Sequence, residues 1–307
     1  MPVGGGYYWL LKPNFDDEQT PAYGLIDEAG KVHVSHADLD MLMGLPNMTA
    51  DLAAGILDWW DEDEVVQAGG AESAWYQLSN PPYYAKNDRM ETVEELLLVK
   101  DITSELLFGE DTNRNGVLDA NEDDGDASEP ADNRDGLLDR GLFPFVTVYT
   151  TEPVSIGRRT RMVRGRINLN SAPWQVLVCL PGLTEADAKA IVAHRQSVGE
   201  FGSVEVLADI LSPDKVGPIL SQVTISSYRC MADIVAVDGQ GRSFVRYQVV
   251  FDIGSNPPRV LHVRDLTSLG WPLDPALLTD LRQGRGIDGT LTTGVVAMPS
   301  IAQGGSR

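Results

Sequence analysis

The chain has 307 residues, with 45 Asp and Glu against 24 Lys and Arg and a formal net charge of -21. Hydrophobic residues make up 43% and charged residues 22%, a globular composition able to bury one large core or two medium ones. The acidic surplus argues against strong non-specific attraction to phosphate or anionic lipid, and no apolar run approaches the roughly 18 residues needed to span a bilayer.

The opening "MPVGGGYYWLLKPNFDDE" has neither the basic region nor the apolar core of a signal peptide, and its glycines read as a flexible lead rather than a phosphate cradle. From Gly30 the chain runs "GKVHVSHADLDMLMGLPNMTADLAAGILDWW", and from Gly165 "GRINLNSAPWQVLVCLPGLTEADAKAIVAHR". The two align without a gap at an offset of 135 residues. Val32, Val34 and Ala37 match Ile167, Leu169 and Ala172, while Leu45, Pro46 and Thr49 match Leu180, Pro181 and Thr184. Each copy predicts a short strand, a helix, a Pro-led hairpin and a second helix. Thr184 with Asp187 is a capping-box pattern, and Thr49 before Asp51 is a weaker start signal. Ala53, Ile56 and Leu57, like Ala188, Ile191 and Val192, give the second helix its apolar stripe. Both copies read as helix-hairpin-helix units.

Such hairpins grip nucleic acid through free backbone N–H groups, usually from two glycines, with Lys or Arg beside them. Here the second copy offers Gly182 alone, and Asn47 replaces it in the first. Between Val32 and Ala85 there is no Lys or Arg, against nine acids: Asp38, Asp40, Asp51, Asp58, Asp61, Glu62, Asp63, Glu64 and Glu72. The expected partner is protein, not nucleic acid.

"METVEELLLVKDITSELLFG" then predicts a helical stretch, with Thr92 and Glu95 as another capping box. The next segment, "DTNRNGVLDANE", fits the twelve-residue EF-hand calcium loop. Asp111, Asn113 and Asn115 take the first side-chain positions, Gly116 the sharp turn, Val117 the carbonyl position, Asp119 the ninth and Glu122 the bidentate twelfth. Hard oxygen donors at this spacing point to Ca2+, where zinc would want His or Cys. "ADNRDGLLD" repeats the pattern imperfectly. Asn133, Asp135, Gly136 and Asp139 match, Ala131 stands at the first ligand position and Leu142 at the last, and Asp132, or Asp124 with Asp126, completes the set. The lack of an exiting helix after Glu122 suggests a structural clamp rather than a sensor.

"FPFVTVYT" is β-like. After the second hairpin unit, Ser227 to Ile253 reads as a β-hairpin about "DGQG", with Val245, Tyr247, Val249, Phe251 and Ile253 alternating with Arg246, Gln248 and Asp252. "RVLHVRDL" predicts a further strand, and the Gly- and Thr-rich last twenty-odd residues a frayed tail. The fold class is α+β. Cys179 and Cys230 are too few for a disulfide framework and read as two buried thiols, with a bridge open in an oxidising compartment. No nucleophile elbow, P-loop or dinucleotide fingerprint occurs, so no catalytic residue is assigned.

"LAAGILDWWDEDE", then "GGAESAWYQLSNPPYYAKNDRMETVEELLLV", the acidic loops, "INLNSAP" with its hairpin, and "RVLHVRDLTSLGW" together resemble the type II secretion system protein K family, the large minor pseudopilins. The resemblance implies a pilin-like antiparallel sheet interrupted by a large helical domain that binds Ca2+. On that scheme residues 1–34 supply the first strands and residues 35–215 the helical insertion. The insertion would hold hairpin repeats near 35–60 and 170–195, calcium loops over 111–139 and β segments over 143–169. Residues 216–275 would give the C-terminal strands and 276–307 a flexible tail. The resemblance also implies a place at the tip of a pseudopilus on the periplasmic side of the inner membrane, with other minor pseudopilins as partners. Family members start with an apolar anchor helix that these residues do not include, so the expected tie to the membrane is indirect or through a missing N-terminal helix. Two other classes remain open: a competence-type DNA-binding protein, suggested by the hairpins, and a secreted calcium-dependent adhesion module, suggested by the loops.

Overall fold

The computed structural model describes residues 2–285 other than 4, 18, 130, 131 and 158, so Ala131 and the tail beyond 285 lie outside the described residues. Two compact units are present: a sheet unit of Met1–Asp27, Phe108–Arg140 and Tyr228–Arg307, and a helical unit of Glu28–Leu107 and Gly141–Ser227.

The sheet unit is built on an antiparallel sheet. Its strands follow in the order Pro2–Val3, Gly6–Lys12, Arg229–Asp238, Phe244–Asp252 and Arg259–Asp265. Ala22–Tyr23 adds to Gly6–Lys12, and Ile26–Asp27 to Arg229–Asp238. The predicted turn closes because Asp238 Oδ1 accepts the N–H groups of Arg242 and Ser243 at 2.6 and 3.2 Å. Register sets Trp9 opposite Val235 and Tyr7 opposite Val237. Trp9, Leu11, Val235 and Val237 pack with Leu273, Leu277 and Leu281 into one core.

Leu277 and Leu281 correct the sequence reading, which assigned residues 276 onward to a tail. Pro275–Arg282 is a helix, started by Asp274, whose carboxylate accepts the Ala276 N–H at 2.8 Å, with Pro275 in the first turn. Leu277 and Leu281, one turn apart, seal it to the core. Trp271 leads into the helix edge-on to Trp9 and Phe244, at 6.0 and 5.4 Å between ring centroids.

The strand Phe244–Asp252 alternates as expected, yet the polar residues face inward. Arg246, Gln248 and Val250 are buried, while Val245 and Tyr247 are 41% and 38% exposed. Val263, paired with Val249, is 55% exposed, and Val260, paired with Phe251, is 58% exposed. One side of this sheet is therefore an open apolar face.

In the helical unit both repeats take the same course. Val32–His33 pairs in parallel with Val146–Thr147, and Ile167–Asn168 with Val223–Thr224. The first copy then forms helices Leu39–Met43 and Ala50–Trp60, the second Trp174–Leu177 and Glu185–Val198. Asp38 and Thr49 cap the first pair through Met41 and Leu52 N–H, and Thr184 with Asp187 forms the expected capping box. Lys31 Nζ bonds Glu28 Oε1 at 2.8 Å and Thr147 Oγ1 bonds Glu28 Oε2, tying the first strand pair down in a buried ionic contact. The stretch after Met90 is not one helix. It breaks into a 3-10 turn, Val93–Leu98, and a short helix, Ser104–Phe108, because Asp101 between them sits at φ +60°.

The copies pack against each other reciprocally. A Cβ on Gly30 would lie 2.9 Å from Ser171 Oγ, and one on Gly165 would strike the His36 ring. With the offset of 135, Gly165 is the equivalent of Gly30 and Ser171 of His36, so the same contact is made twice about a local two-fold relation. Gly44 and its equivalent Cys179 face each other at that contact, where a Cβ on Gly44 would lie 2.7 Å from Cys179 Cα. Both cysteines are buried free thiols, and burial pushes Cys179 up to about 12.

Gly44 has φ -75°, which any residue adopts, so its glycine answers only to the approach of Cys179. Gly44→Ala should therefore destabilise the helical unit by about 1–3 kcal/mol, despite alanine's better helix propensity. Thermal melts of the variant check this; an unchanged or raised midpoint contradicts the packing.

Candidate functional site

The acidic loop beginning at Asp111 is part of the sheet unit, where the sequence reading placed it in the helical insertion. Several contacts account for the difference. Arg246 is 0% exposed and pairs with Asp233 through Nε–Oδ1 at 2.9 Å and Nη2–Oδ2 at 2.7 Å. Its remaining donors reach the Asn113 carbonyl and, at 2.7 Å, the Arg114 carbonyl. Asn115 Nδ2 donates to the Pro272 carbonyl at 3.0 Å, and Arg140 Nη2 to the Asn14 and Gly116 carbonyls at 2.6 and 3.3 Å. Gly116 has φ +73° and leaves no room for a free Cβ, which would sit 3.2 Å from Pro13 Cα.

Within the loop, Asp111 accepts the Asn115 and Gly116 N–H groups at 3.0 and 2.9 Å. Asn113 and Asn115 both donate to Asp119 Oδ2, at 2.6 and 3.0 Å. Glu122 Oε1 accepts the Thr112 N–H at 2.8 Å and its hydroxyl at 2.9 Å, and Oε2 accepts the Asp119 N–H at 3.1 Å. The Val117 N–H donates to Asn115 Oδ1 at 2.7 Å. The expected side chains thus converge, with Asp111, Asn115 and Glu122 buried. Burial, and after it the charge of Glu122, pushes the Asp111 carboxyl up to about 7; burial likewise raises Glu122. Two buried carboxylates repelling one another are the electrostatic condition that a bound cation relieves. The residues present fit Ca2+.

The second set does not gather in this way. Asp132 accepts the N–H groups of Asp124, Gly125 and Arg134 at 2.8, 2.7 and 2.8 Å. Asn133 bonds Asp135 at 3.0 Å, while Asn133, Asp135 and Asp139 are exposed. The Asp139 N–H donates to Glu110 Oε1 at 2.8 Å, and Asp123 Oδ1 accepts the Gly136 N–H at 3.3 Å. Sequence reasoning gave Glu110 and Asp123 no part in this second set, since they lie outside its motif and only the fold brings them to it.

The hairpin units spend their cations internally. Arg195 Nη1 donates to the Leu169 and Ala172 carbonyls at 2.7 and 2.9 Å. Lys189 bonds Glu185 at 2.5 Å and lies over the Trp174 ring, and Lys215 bonds Asp187 at 2.5 Å. Gly182 takes φ +74° and Asn47, at the equivalent hairpin position, takes φ +56°. The hairpins are shaped like phosphate grips but offer no row of uncommitted charge beside them.

Residues 32–108 match the family model for type II secretion system (T2SS), protein K, and residues 164–212 match that of the helix-hairpin-helix motif. The chain resembles type II secretion protein K. A relative of that name from Pectobacterium carotovorum subsp. carotovorum is 28% identical over 156 residues, 51% of this chain and 36% of that protein. The matched region thus spans about a third of the relative's length. The fold is similar to a chain in the crystal structure of the GspK-GspI-GspJ complex from the enterotoxigenic Escherichia coli type 2 secretion system. That match has a TM-score of 0.52 at 15% identity and covers 86% of this chain and 81% of the other. Among the described residues no helix is long and apolar enough to cross a membrane.

Truncating one side of the Arg246–Asp233 pair leaves a buried charge uncompensated. Arg246→Met should cost about 3–5 kcal/mol, whereas Arg246→Met with Asp233→Leu should recover much of the loss. Chemical denaturation of the wild type, both single variants and the double variant checks this; additive losses would show that the pair is not the anchor.

Proposed function

We propose that the chain is a minor pseudopilin-like subunit that caps the tip of a type II secretion pseudopilus and serves protein export by assembly rather than by catalysis. The protein K match over residues 32–108 carries the reading. The antiparallel sheet supports it, since the helical unit is inserted between Ile26–Asp27 and Arg229–Asp238, as in a pilin-like fold with a large added domain. An insertion of that size is too bulky for a repeating filament subunit and suits a terminal one. A net charge of -21 disfavours self-association, because like charges on identical faces repel. The partners on this reading are other, smaller minor pseudopilins at the periplasmic side of the inner membrane, docked on the open apolar sheet face of Val245, Tyr247, Val260 and Val263.

Ca2+ belongs to the same reading as a structural clamp. Asp111, Asn113, Asn115, Asp119, Glu122 and the Val117 carbonyl would hold it. Asp132, Asn133, Asp135 and Asp139 would make a weaker second site that needs ordering by the ion. Bound Ca2+ would supply positive charge to the buried carboxylates, and the loop's own residues fix their oxygens through backbone N–H groups.

Extracellular calcium modules bind at about 10⁻⁴ to 10⁻³ M. With Ca2+ at about ten times the dissociation constant, linkage gives roughly 1.4 kcal/mol of stabilisation. Melts in Ca2+ and in EDTA should differ by at least this much, and Asp111→Ala or Glu122→Gln should remove this loop's share of the difference. Identical melts in Ca2+ and EDTA would rule out the clamp.

Assembly has its own test. Co-expression with the soluble domains of the minor pseudopilins encoded nearest to this chain should yield a one-to-one-to-one complex. Val263→Glu, on the open sheet face, should weaken that complex at least about tenfold without moving the melting temperature. A chain that elutes alone, or that forms homopolymers, is not a tip subunit.

A further inference from the structure

Another acidic cluster lies in the helical unit, on residues outside both loops. Asp58 sits on the last turn of the helix Ala50–Trp60, Asp61 caps its C-terminus, and Glu72 is brought back to them by the segment that follows. One carboxylate oxygen from each lies within 4.8 Å of the others. Acidic clusters are common on surfaces, but this one is not at the surface: Asp58 is wholly buried and Glu72 is 2% exposed.

Glu72 is the decisive member. Both of its carboxylate oxygens are buried with no hydrogen-bond partner, and Asp61 Oδ1 is in the same condition. Leaving such groups unmet is costly unless something else meets them. Burial, and after it the charges of Asp58, Asp61, Glu64 and Asp63, raise Glu72 to about 7. Nearby cations are directed elsewhere. Lys100 Nζ donates to the Gly69 and Gly70 carbonyls at 3.0 and 3.5 Å, and Lys86 pairs with Glu95 at 2.6 Å. The cluster also stands at a helix C-terminus, where the aligned peptide dipoles disfavour negative charge and favour a cation.

The surroundings are fitted to the oxygens. The Gln67 N–H donates to Asp58 Oδ2 at 3.1 Å. Gly70 passes so close that a Cβ there would collide with Asp58 Oδ2. Glu64 is held apart by Ser73 and Asn87, whose side chains each donate to its Oε1 at 2.8 Å. One oxygen each of Asp58, Asp61 and Glu72 is left close enough to the others to share one ion.

We infer that Asp58, Asp61 and Glu72 form a further divalent-cation site, chemically suited to Ca2+. Three hard carboxylate donors exclude a preference for soft metals. Oxygens within 4.8 Å of one another can share one Ca2+ at about 2.3–2.6 Å, and an all-carboxylate set at a partly dry site suits Ca2+ better than Mg2+, which keeps several of its waters. The ion would tie the end of Ala50–Trp60 to the segment carrying Glu72.

The test uses the full chain, stripped with EDTA and titrated with CaCl2 by calorimetry, with terbium luminescence as a second readout sensitised by Trp59 and Trp60. In the background Asp111→Ala with Glu122→Gln, Ca2+ binding should persist and should fall by one equivalent when Glu72→Gln is added. Asp61→Asn, at a less buried position, should weaken the same equivalent about tenfold or more and covers the case in which Glu72→Gln does not fold. The inference is overturned if Ca2+ binding in that background is absent, or if it is indifferent to both Glu72→Gln and Asp61→Asn.

Discussion

The sheet unit depends on one buried guanidinium. Arg246 cannot lose its charge, so placing it inside a core is tolerable only if its donors are met. Asp233, on the neighbouring strand, takes two of them, and the carbonyls of Asn113 and Arg114 take others. A loop more than a hundred residues away in sequence is thereby fixed to the sheet by its backbone. Its alternate side chains are then free to turn toward one another, as the Asn113, Asn115 and Asp119 contacts record. The same arginine that stabilises the strand pair thus shapes a nest of oxygens beside it.

The helical unit solves a different problem with the same economy of parts. A single helix-hairpin-helix unit has too little apolar surface to bury itself. Duplicated and turned about a local two-fold, each copy supplies the other's missing wall, and glycine is required where the walls meet, at Gly30, Gly44 and Gly165. This arrangement also explains the fate of the phosphate-gripping shape. Arg195, which could face a ligand, instead satisfies carbonyls at the turn after its own repeat's strand, where a helix begins. The hairpin has become a packing device.

What the sequence disclosed and what it hid divide along physical lines. Features set by neighbouring residues were legible. The 135-residue offset and the Thr184–Asp187 box reappear in the structure, and the residues spaced from Asp111 to Glu122 hydrogen-bond to one another within one loop. Features set by distant partners were not. Alternation from Val245 to Asp252 fixes the period of a strand but not which side faces inward, and a buried Arg246 reverses the obvious assignment. The helix after Asp274 was passed over as tail, although its N-terminal cap and the Leu277–Leu281 spacing were on view. The acidic loop was assigned by its place in the chain, while the contacts that place it come from Asn14, Arg246 and Pro272.

Acidity then takes on a structural meaning in both units. Charges spread over a wet surface are screened within about 8–10 Å at ordinary salt and cost little. Asp111, Glu122 and Glu72 are not of that kind, because burial removes the water that would screen them. Burial pushes the Asp111 and Glu72 carboxyls up to about 7 and raises Glu122, so each is poised to take up a proton or, on the proposed reading, to meet a cation. On the proposed clamp, fold and cation content would be linked quantities. An assembly subunit would gain from that linkage, with loops rigid where divalent cations are plentiful and slack where they are scarce. The open apolar sheet face, by contrast, carries no such condition. Charge governs how firmly each unit holds its own shape, and apolar area governs what the sheet can hold onto.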